Sequence, residues 1–408
     1  MAKVRKDTKG RVLHRGELFR KDKGLYCFAY SDSFGKRQYI YSDDLIELRD
    51  KEKNIQKCRL DGIDKYAFAK VDINYVFDRY ISIKSELKGS TYSNYSYTYN
   101  HYVRDGFGKK RISDIKYSDV LIFYNELYDR GLKINTIDSV HGVLHPVFQM
   151  AVRDNVIRYN PTDGAIAELK KKRKATAGIK HALTIEEERA FLRFLEKDEN
   201  VRWKPLFTFM FGTGCRIGEV IGLRWEDLDF ENNVIDINHN ITYYQKKSGR
   251  CEFEVGLPKT EAGIRKIPML DEVRAALLEE KSYQDENDHH CIMEVDGMKN
   301  FIFCNRFKLL HNPAGVNNAI KRLVTDYNAM EEVMAVREGR KEIRIPDFSC
   351  HITRHTFCTR LCENETNIKV IQYVMGHKDI RTTMDIYAEV SEAKRQETFK
   401  GLNRNGVF

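Results

Sequence analysis

Five residues of three chemical types are strung through the second half of the sequence at spacings that could gather them around one phosphate. Arg216 follows the glycine turn Gly212-Thr213-Gly214-Cys215. Glu219 lies three residues on, and so on the same face of a helix opening there, where a carboxylate orients a guanidinium. In His351-Ile352-Thr353-Arg354-His355, a helix puts His351 and Arg354 on one face. The turn Val374-Met375-Gly376-His377 comes next, and Tyr387 stands ten residues beyond His377. Taken singly, an arginine beside a glutamate is a structural ion pair, and one of 22 tyrosines is a packing residue. As an ordered set they meet the needs of a phenol attacking a phosphodiester. Arginine forks grip the non-bridging oxygens and neutralise charge as it builds in a pentacoordinate transition state. Histidines titrating near neutrality accept the phenol proton or hydrogen-bond the phosphate. Tyrosine, with a free pKa near ~10, becomes a nucleophile when cationic neighbours favour its phenolate.

Other patterns carry less. The run Gly212–Gly218 imitates a dinucleotide fingerprint, but no βαβ pattern surrounds it and its glycine spacing is off by one. No GxxxxGK[ST] loop occurs, which disfavours an ATP-driven motor. Cys350, His355, Cys358 and Cys362 suggest zinc, yet they lack the symmetric pairing of structural sites and fit ordinary helix-face packing. No convincing carboxylate cluster supports a metal-dependent nuclease. Neither a cofactor nor a metal is expected.

The elements that must position these residues follow from periodicity. Thr184 and Glu187 form a capping box at a helix start, and helical spacing continues to about Leu228. Extended segments are expected at Val234–Ile237, Ile241–Tyr244, Cys251–Val255 and Ile264–Ile267, before a helical remainder. Val234–Val255 is expected to form a hairpin with Lys246, Lys247 and Arg250 at its tip. Upstream, Val71 to about Leu169 reads as helical, with a bend possible at Pro146. Its Ser90–Tyr102 stretch is either a phosphate-contacting face or a tyrosine-rich packing face. Lys170–Lys180 opens with five consecutive basic residues and reads as a linker suited to a phosphate backbone. The first 24 residues carry nine Lys/Arg against three acids. Short extended stretches follow around Val12–Phe19, Leu25–Tyr30 and Arg37–Tyr41, then a charged helix from Asp43 to about Lys57. The expected fold is therefore multidomain and mainly α, with a small N-terminal β-sheet module at 1–65. A helical domain at 71–169, a basic linker at 170–181 and a mostly α domain with a small antiparallel sheet at 182–408 follow.

Composition agrees with this division. The chain has 408 residues, enough for two or three domains. It is 42% hydrophobic and 32% charged, with formal net charge +9, a moderate bias toward nucleic acid. No apolar run approaches the ~18 residues of a membrane helix, and the basic N-terminus lacks the apolar stretch of a secretory signal. Nine scattered cysteines do not read as a disulfide framework, so a reducing cytoplasm is expected.

Arg216, His351-x-x-Arg354, Gly376-His377 and Tyr387 together resemble the signature of the tyrosine recombinase (phage integrase) family, most like the integrases of conjugative transposons. The signature spans about Ala182–Val390, with Met375 where a leucine is often seen. The two blocks ahead of it are similar in order to arm-binding and core-binding domains. The family also uses a lysine on a β-hairpin turn, and Lys259 in Leu257-Pro258-Lys259-Thr260-Glu261-Ala262-Gly263 matches it. The resemblance implies a strand-exchange enzyme acting on double-stranded DNA at core and arm-type attachment sites. In it, Tyr387 forms a 3′-phosphotyrosine while Lys259 protonates the leaving 5′ oxygen, without ATP or metal. It further implies a tetramer on DNA, an accessory DNA-bending or excision factor, a bacterial cytoplasmic setting on the nucleoid, and docking of Ser391–Phe408 on a neighbour. A type IB topoisomerase-like relaxing enzyme needs the same residue types but not the N-terminal module. A non-cleaving DNA-binding regulator has no use for Tyr387.

Overall fold

Helix boundaries in this protein follow side chains that close backbone ends. Thr184 accepts from the Glu187 amide while the Glu187 carboxylate accepts from the Thr184 amide, so the expected capping box starts α7 (Ile185–Phe194). Asp72 and Asn312 start two further helices with one-way N-caps, accepting from the Tyr75 and Gly315 amides. The structure is a computed structural model that describes residues 5–31, 37–60 (backbone only for 57–60), 71–84, 87–173, 182–246, 248–257, 263–388 and 390. The chain divides into two units, Met1–Ala177 and Gly178–Phe408.

The first unit contains two cores. Strands β1 (Glu17–Arg20), β2 (Leu25–Ser31) and β3 (Arg37–Ser42) form an antiparallel sheet in chain order. Helix α1 (Leu45–Leu60) supplies Leu45, Leu48 and Ile55 to the same small core as Tyr26, Phe28 and Tyr30. Buried Glu17 accepts from Arg49 of that helix at 2.9 Å, which pins sheet to helix. Leu18, Tyr39 and Tyr41 stay exposed, and the Arg37 guanidinium lies over the Tyr39 ring. The expected strand at Val12–Phe19 is shorter, since Val12 only bridges Lys6.

The second core is helical: α2 (Ile73–Ile83), α3 (Gly89–Tyr102), α4 (Tyr117–Asp129), α5 (Ile134–Arg153) and α6 (Ala165–Lys172). α5 continues through Pro146. In α3, Tyr99 is a packing residue stacked on Phe77 with its hydroxyl donated to Asn74, whereas Tyr97 faces outward. The basic run begins inside this unit, not after it. Lys170–Lys172 end α6 because Leu169 is buried in the core, Lys170 pairs with Asp138 at 2.9 Å, and Arg173 lies over Tyr128 beside Asp129. Residues 174–181 lie outside the described residues.

The second unit is mostly α around one large apolar core that includes Phe191, Phe207, Phe209, Leu277, Ile320 and Leu323. Its helices are α7, α8 (Lys204–Thr213), α9 (Ile217–Gly222), α10 (Asp271–Glu286), α11 (Pro313–Glu338), α12 (Cys350–Asn364), α13 (Ile368–Met375) and a helix over 380–388, here α14. All four extended segments form strands, but in two sheets. β4 (Leu228–Asp229), β5 (Val234–Ile237) and β8 (Arg265–Pro268) make one, and β6 (Asn240–Gln245) with β7 (Cys251–Gly256) makes a separate hairpin. The hairpin is thus shorter than expected. β5 pairs with β8 because Ile235 and Ile237 face the core with Ile267. At the hairpin tip, Lys246 is held by Glu254 and by the Tyr244 hydroxyl, so its charge is already matched. Lys247 lies outside the described residues. Among the described residues, no helix is long and apolar enough to cross a membrane.

Candidate active site

Glycine turns bring the separated arginines together. Gly214 ends α8 in the left-handed conformation, φ +61°, and a side chain there would meet Phe357 of α12. The chain then restarts as α9 with Arg216 at its N-cap, as the sequence suggested. Glu219 accepts from both the Arg216 backbone amide and Nη1, each at 2.9 Å. Gly376 ends α13 in the same conformation, φ +59°, and leads directly into His377.

The end of α13 is where these groups converge. A helix leaves its last carbonyls without partners in the helix, and its C-terminus favours positive charge. Here three successive carbonyls accept from three arginines. Val374 O takes Arg265 Nε at 2.7 Å, Met375 O takes Arg354 Nη2, and Gly376 O takes Arg216 Nη2 at 2.9 Å. Arg354 also donates Nη1 to Gly214 O at 2.8 Å, so both glycine turns are tied to an arginine. Two of its five donors are spent on carbonyls. Burial, followed by repulsion from Arg216, lowers the Arg354 pKa to about 10, which leaves it charged at neutrality. Burial would raise the Glu219 carboxyl, but hydrogen bonds and charge from Arg265, then Arg216, hold it below its ordinary value.

His377 is 8% exposed, and its Nδ1 lies 2.9 Å from the Thr383 hydroxyl on α14. Its pKa falls to about 4 through burial, then the charges of Arg354, Arg216, Arg265 and His351. It is therefore a neutral imidazole at pH 7. His351 is exposed in the first turn of α12, one turn before Arg354, as the sequence spacing required. Tyr387 lies on α14, four residues after Thr383, partly buried against the apolar cluster of Cys358, Ile371 and Met375. Among the described residues, no hydrogen bond joins its hydroxyl to the arginines or histidines. Lys259 lies outside the described residues, in the connection between β7 and β8, and those strands belong to different sheets.

Sequence reasoning missed Arg265, Thr383 and Gln372, whose amide donates to His377 O at 3.0 Å. Thr383 carried a signal, standing one turn from Tyr387. Read from the sequence alone, the mainly apolar run Ile368–Met375 would put Tyr373 in the core. It is 54% exposed, and its hydroxyl accepts from the Lys266 amide at 3.2 Å. The cysteines of the zinc pattern do not assemble. Cys358 and Cys362 pack among apolar side chains, Cys350 joins the main core, and His355 contacts Thr359. Cavity size does not lead to this site. A cavity of about 660 Å³ walled by Arg202, Trp203, His311 and Arg322 contains none of these residues.

Residues 181–394 match the profile of the phage integrase family. Residues 1–59 match the DNA binding domain of Tn916 integrase, and 74–128 match the phage integrase N-terminal SAM-like domain. The chain belongs to the phage integrase family. Full-length relatives include the transposase of Tn916 from Enterococcus faecalis and that of Tn1545 from Streptococcus pneumoniae. Each is 30% identical across 99% of this chain and 98% of the relative. The solved integrase of transposon Tn1549, in complex with a circular intermediate DNA, superposes with a TM-score of 0.69 at 27% identity. That match covers 80% of this chain and 99% of the other. A lambda integrase dimer on a core site shares the fold at 17% identity, TM-score 0.52, over 92% of this chain and 95% of the other. The protein is a site-specific tyrosine recombinase of conjugative-transposon type.

Proposed function

We propose that this recombinase cuts and rejoins the ends of a mobile element through a 3′-phosphotyrosyl intermediate. Arg216 and Arg354 bind the scissile phosphate, and their remaining donors neutralise charge as it builds on the non-bridging oxygens. His351 at the exposed start of α12 hydrogen-bonds the phosphate. Neutral His377 accepts the phenol proton as Tyr387 attacks phosphorus, and the bond to the 5′ oxygen breaks. Lys259 protonates that oxygen, leaving a 5′-hydroxyl. A 5′-hydroxyl of the partner duplex then attacks phosphorus, releases the Tyr387 phenol and restores the diester. Each step exchanges one phosphate ester for another, so the reaction calls for neither ATP nor a metal.

The single observation that carries this reading is the run of three arginine-bound carbonyls at the end of α13. It brings Arg216 and Arg354, 138 positions apart in sequence, to the turn bearing His377. The further assignments rest on order and charge. Residues 1–65 bind arm-type sites, 71–169 and 182–408 bind the core site, and the basic stretch within 170–181 contacts the phosphate backbone. Two duplexes cut on both strands need four tyrosines, and hence a tetramer. An accessory bending or excision factor and action on the bacterial nucleoid belong to the same proposal. The test is denaturing-gel analysis of the protein on a suicide-nicked attachment site. A covalent adduct with the native chain and none with Tyr387→Phe is expected; an undiminished adduct with the variant sinks the mechanism.

A further inference from the structure

Of the three arginines on the α13 carbonyls, Arg265 has no part in the reaction just proposed. Its side chain has no exposed surface, so it cannot touch DNA. All five of its donor directions are engaged. Nε meets Val374 O at 2.7 Å, and Nη1 meets Glu219 Oε1 and Gly263 O, both at 3.2 Å. Nη2 meets Glu219 Oε2 at 2.9 Å and Cys215 Sγ at 3.9 Å. Glu219 is therefore gripped from two sides, by Arg216 on its outer side and by Arg265 within. The next residue of β8 adds a second tie to α13, through the Lys266 amide and the Tyr373 hydroxyl.

We infer that Arg265 is a positioning residue of the recombination site. It fixes the carboxylate that aims Arg216 and seats the turn that presents His377, joining β8 to both. Stability alone does not ask for it, because a buried ion pair is often replaced by apolar residues without loss. Lysine carries the charge but cannot span Glu219, Gly263 and Val374 together. This inference rests on the site reading above.

The experiment uses the full-length chain on a nicked duplex carrying the junction of its own element, reading saturating single-turnover cleavage and binding affinity separately. Arg265→Lys is expected to slow cleavage by about tenfold or more while the Kd moves less than about threefold. Placed in an Arg216→Lys background, it should add little further loss, because both changes act on one unit. Cleavage at the native rate overturns the inference, as does a loss that multiplies in full on the Arg216 variant. If Arg265→Lys does not fold, Arg265→Gln replaces it. Failure of both to fold, or equal loss of binding and cleavage, makes the residue a stability element and also overturns the inference. If Arg216→Lys itself cleaves at the native rate, the site reading fails first and the inference falls with it; a crippled Arg216→Lys beside a native Arg265→Lys removes the inference alone.

Discussion

Arg216 shows how little of a guanidinium can be exchanged at such a site. Its Nη1 is committed to Glu219 and its Nη2 to Gly376 O. Arg216→Lys keeps the charge but turns a planar fork into a point contact, and should lower the cleavage rate on the order of 10²–10³. Single-turnover rates at saturating protein check this. His377 carries a pH signature. Its folded pKa of about 4 lies below the ~6.5 of an unfolded histidine. Between those values the unfolded chain binds a proton that the folded chain refuses. The stability contribution is thus complete above pH ~6.5 and is lost as pH falls toward 4. His377→Asn should flatten the fall of the melting temperature between pH 6.5 and 4, and an unchanged slope would place the acid sensitivity elsewhere. Half-buried His311, also near 4, leaves a residual slope. Glu219 acts at lower pH, with its stabilisation present above ~4.5 and lost as pH falls through its depressed pKa.

At the scale of elements, the end of α13 and the start of α14 form one unit joined by the His377–Thr383 bond. Thr383→Val keeps the shape but removes the hydroxyl. It should cost about 1–3 kcal/mol in denaturant-unfolding measurements and slow cleavage, because the imidazole loses the partner that sets its tautomer. The hairpin tip makes a contrasting case. Since Lys246 is matched by Glu254, Lys246→Ala should leave the salt dependence of core-site binding nearly unchanged, and a slope reduced by about one unit would show instead that Lys246 reaches phosphate. Local rules made much of this legible beforehand: the Thr184 box, the Arg216 start of α9 and the shared face of His351 and Arg354 all depend on neighbours within four residues. Arg265 was not legible. In Ile264-Arg265-Lys266-Ile267-Pro268 the alternation permits either face inward, and the frame that buries the arginine is chosen by partners 46 and 109 positions away. Tyr373 misled for a related reason. Six of the eight residues Ile368–Met375 are apolar or aromatic, so the segment looks buried, but a two-turn helix with one packed face leaves the other outside, where the Lys266 amide meets the tyrosine. Strand pairing was equally non-local, since Val234 finds Pro268 and not its hairpin neighbour.

At the scale of the whole molecule, the sheet module has its own small core around Tyr26, Phe28 and Leu48, separate from the helical core of the same unit. Removing residues 1–65 should therefore abolish binding to distal arm-type sites while core-site cleavage survives, as gel-shift and cleavage assays on separate duplexes would report. Equal loss of both would make the module part of core recognition. Excess EDTA should leave the chemical step intact, because arginines provide the charge that a metal would otherwise supply. All of this depends on one covalent bond. The direct measurement is mass spectrometry of a trapped, nuclease-trimmed adduct of the full chain. The account predicts a nucleotide on Tyr387; a nucleotide on exposed Tyr373 or on any other side chain would contradict it.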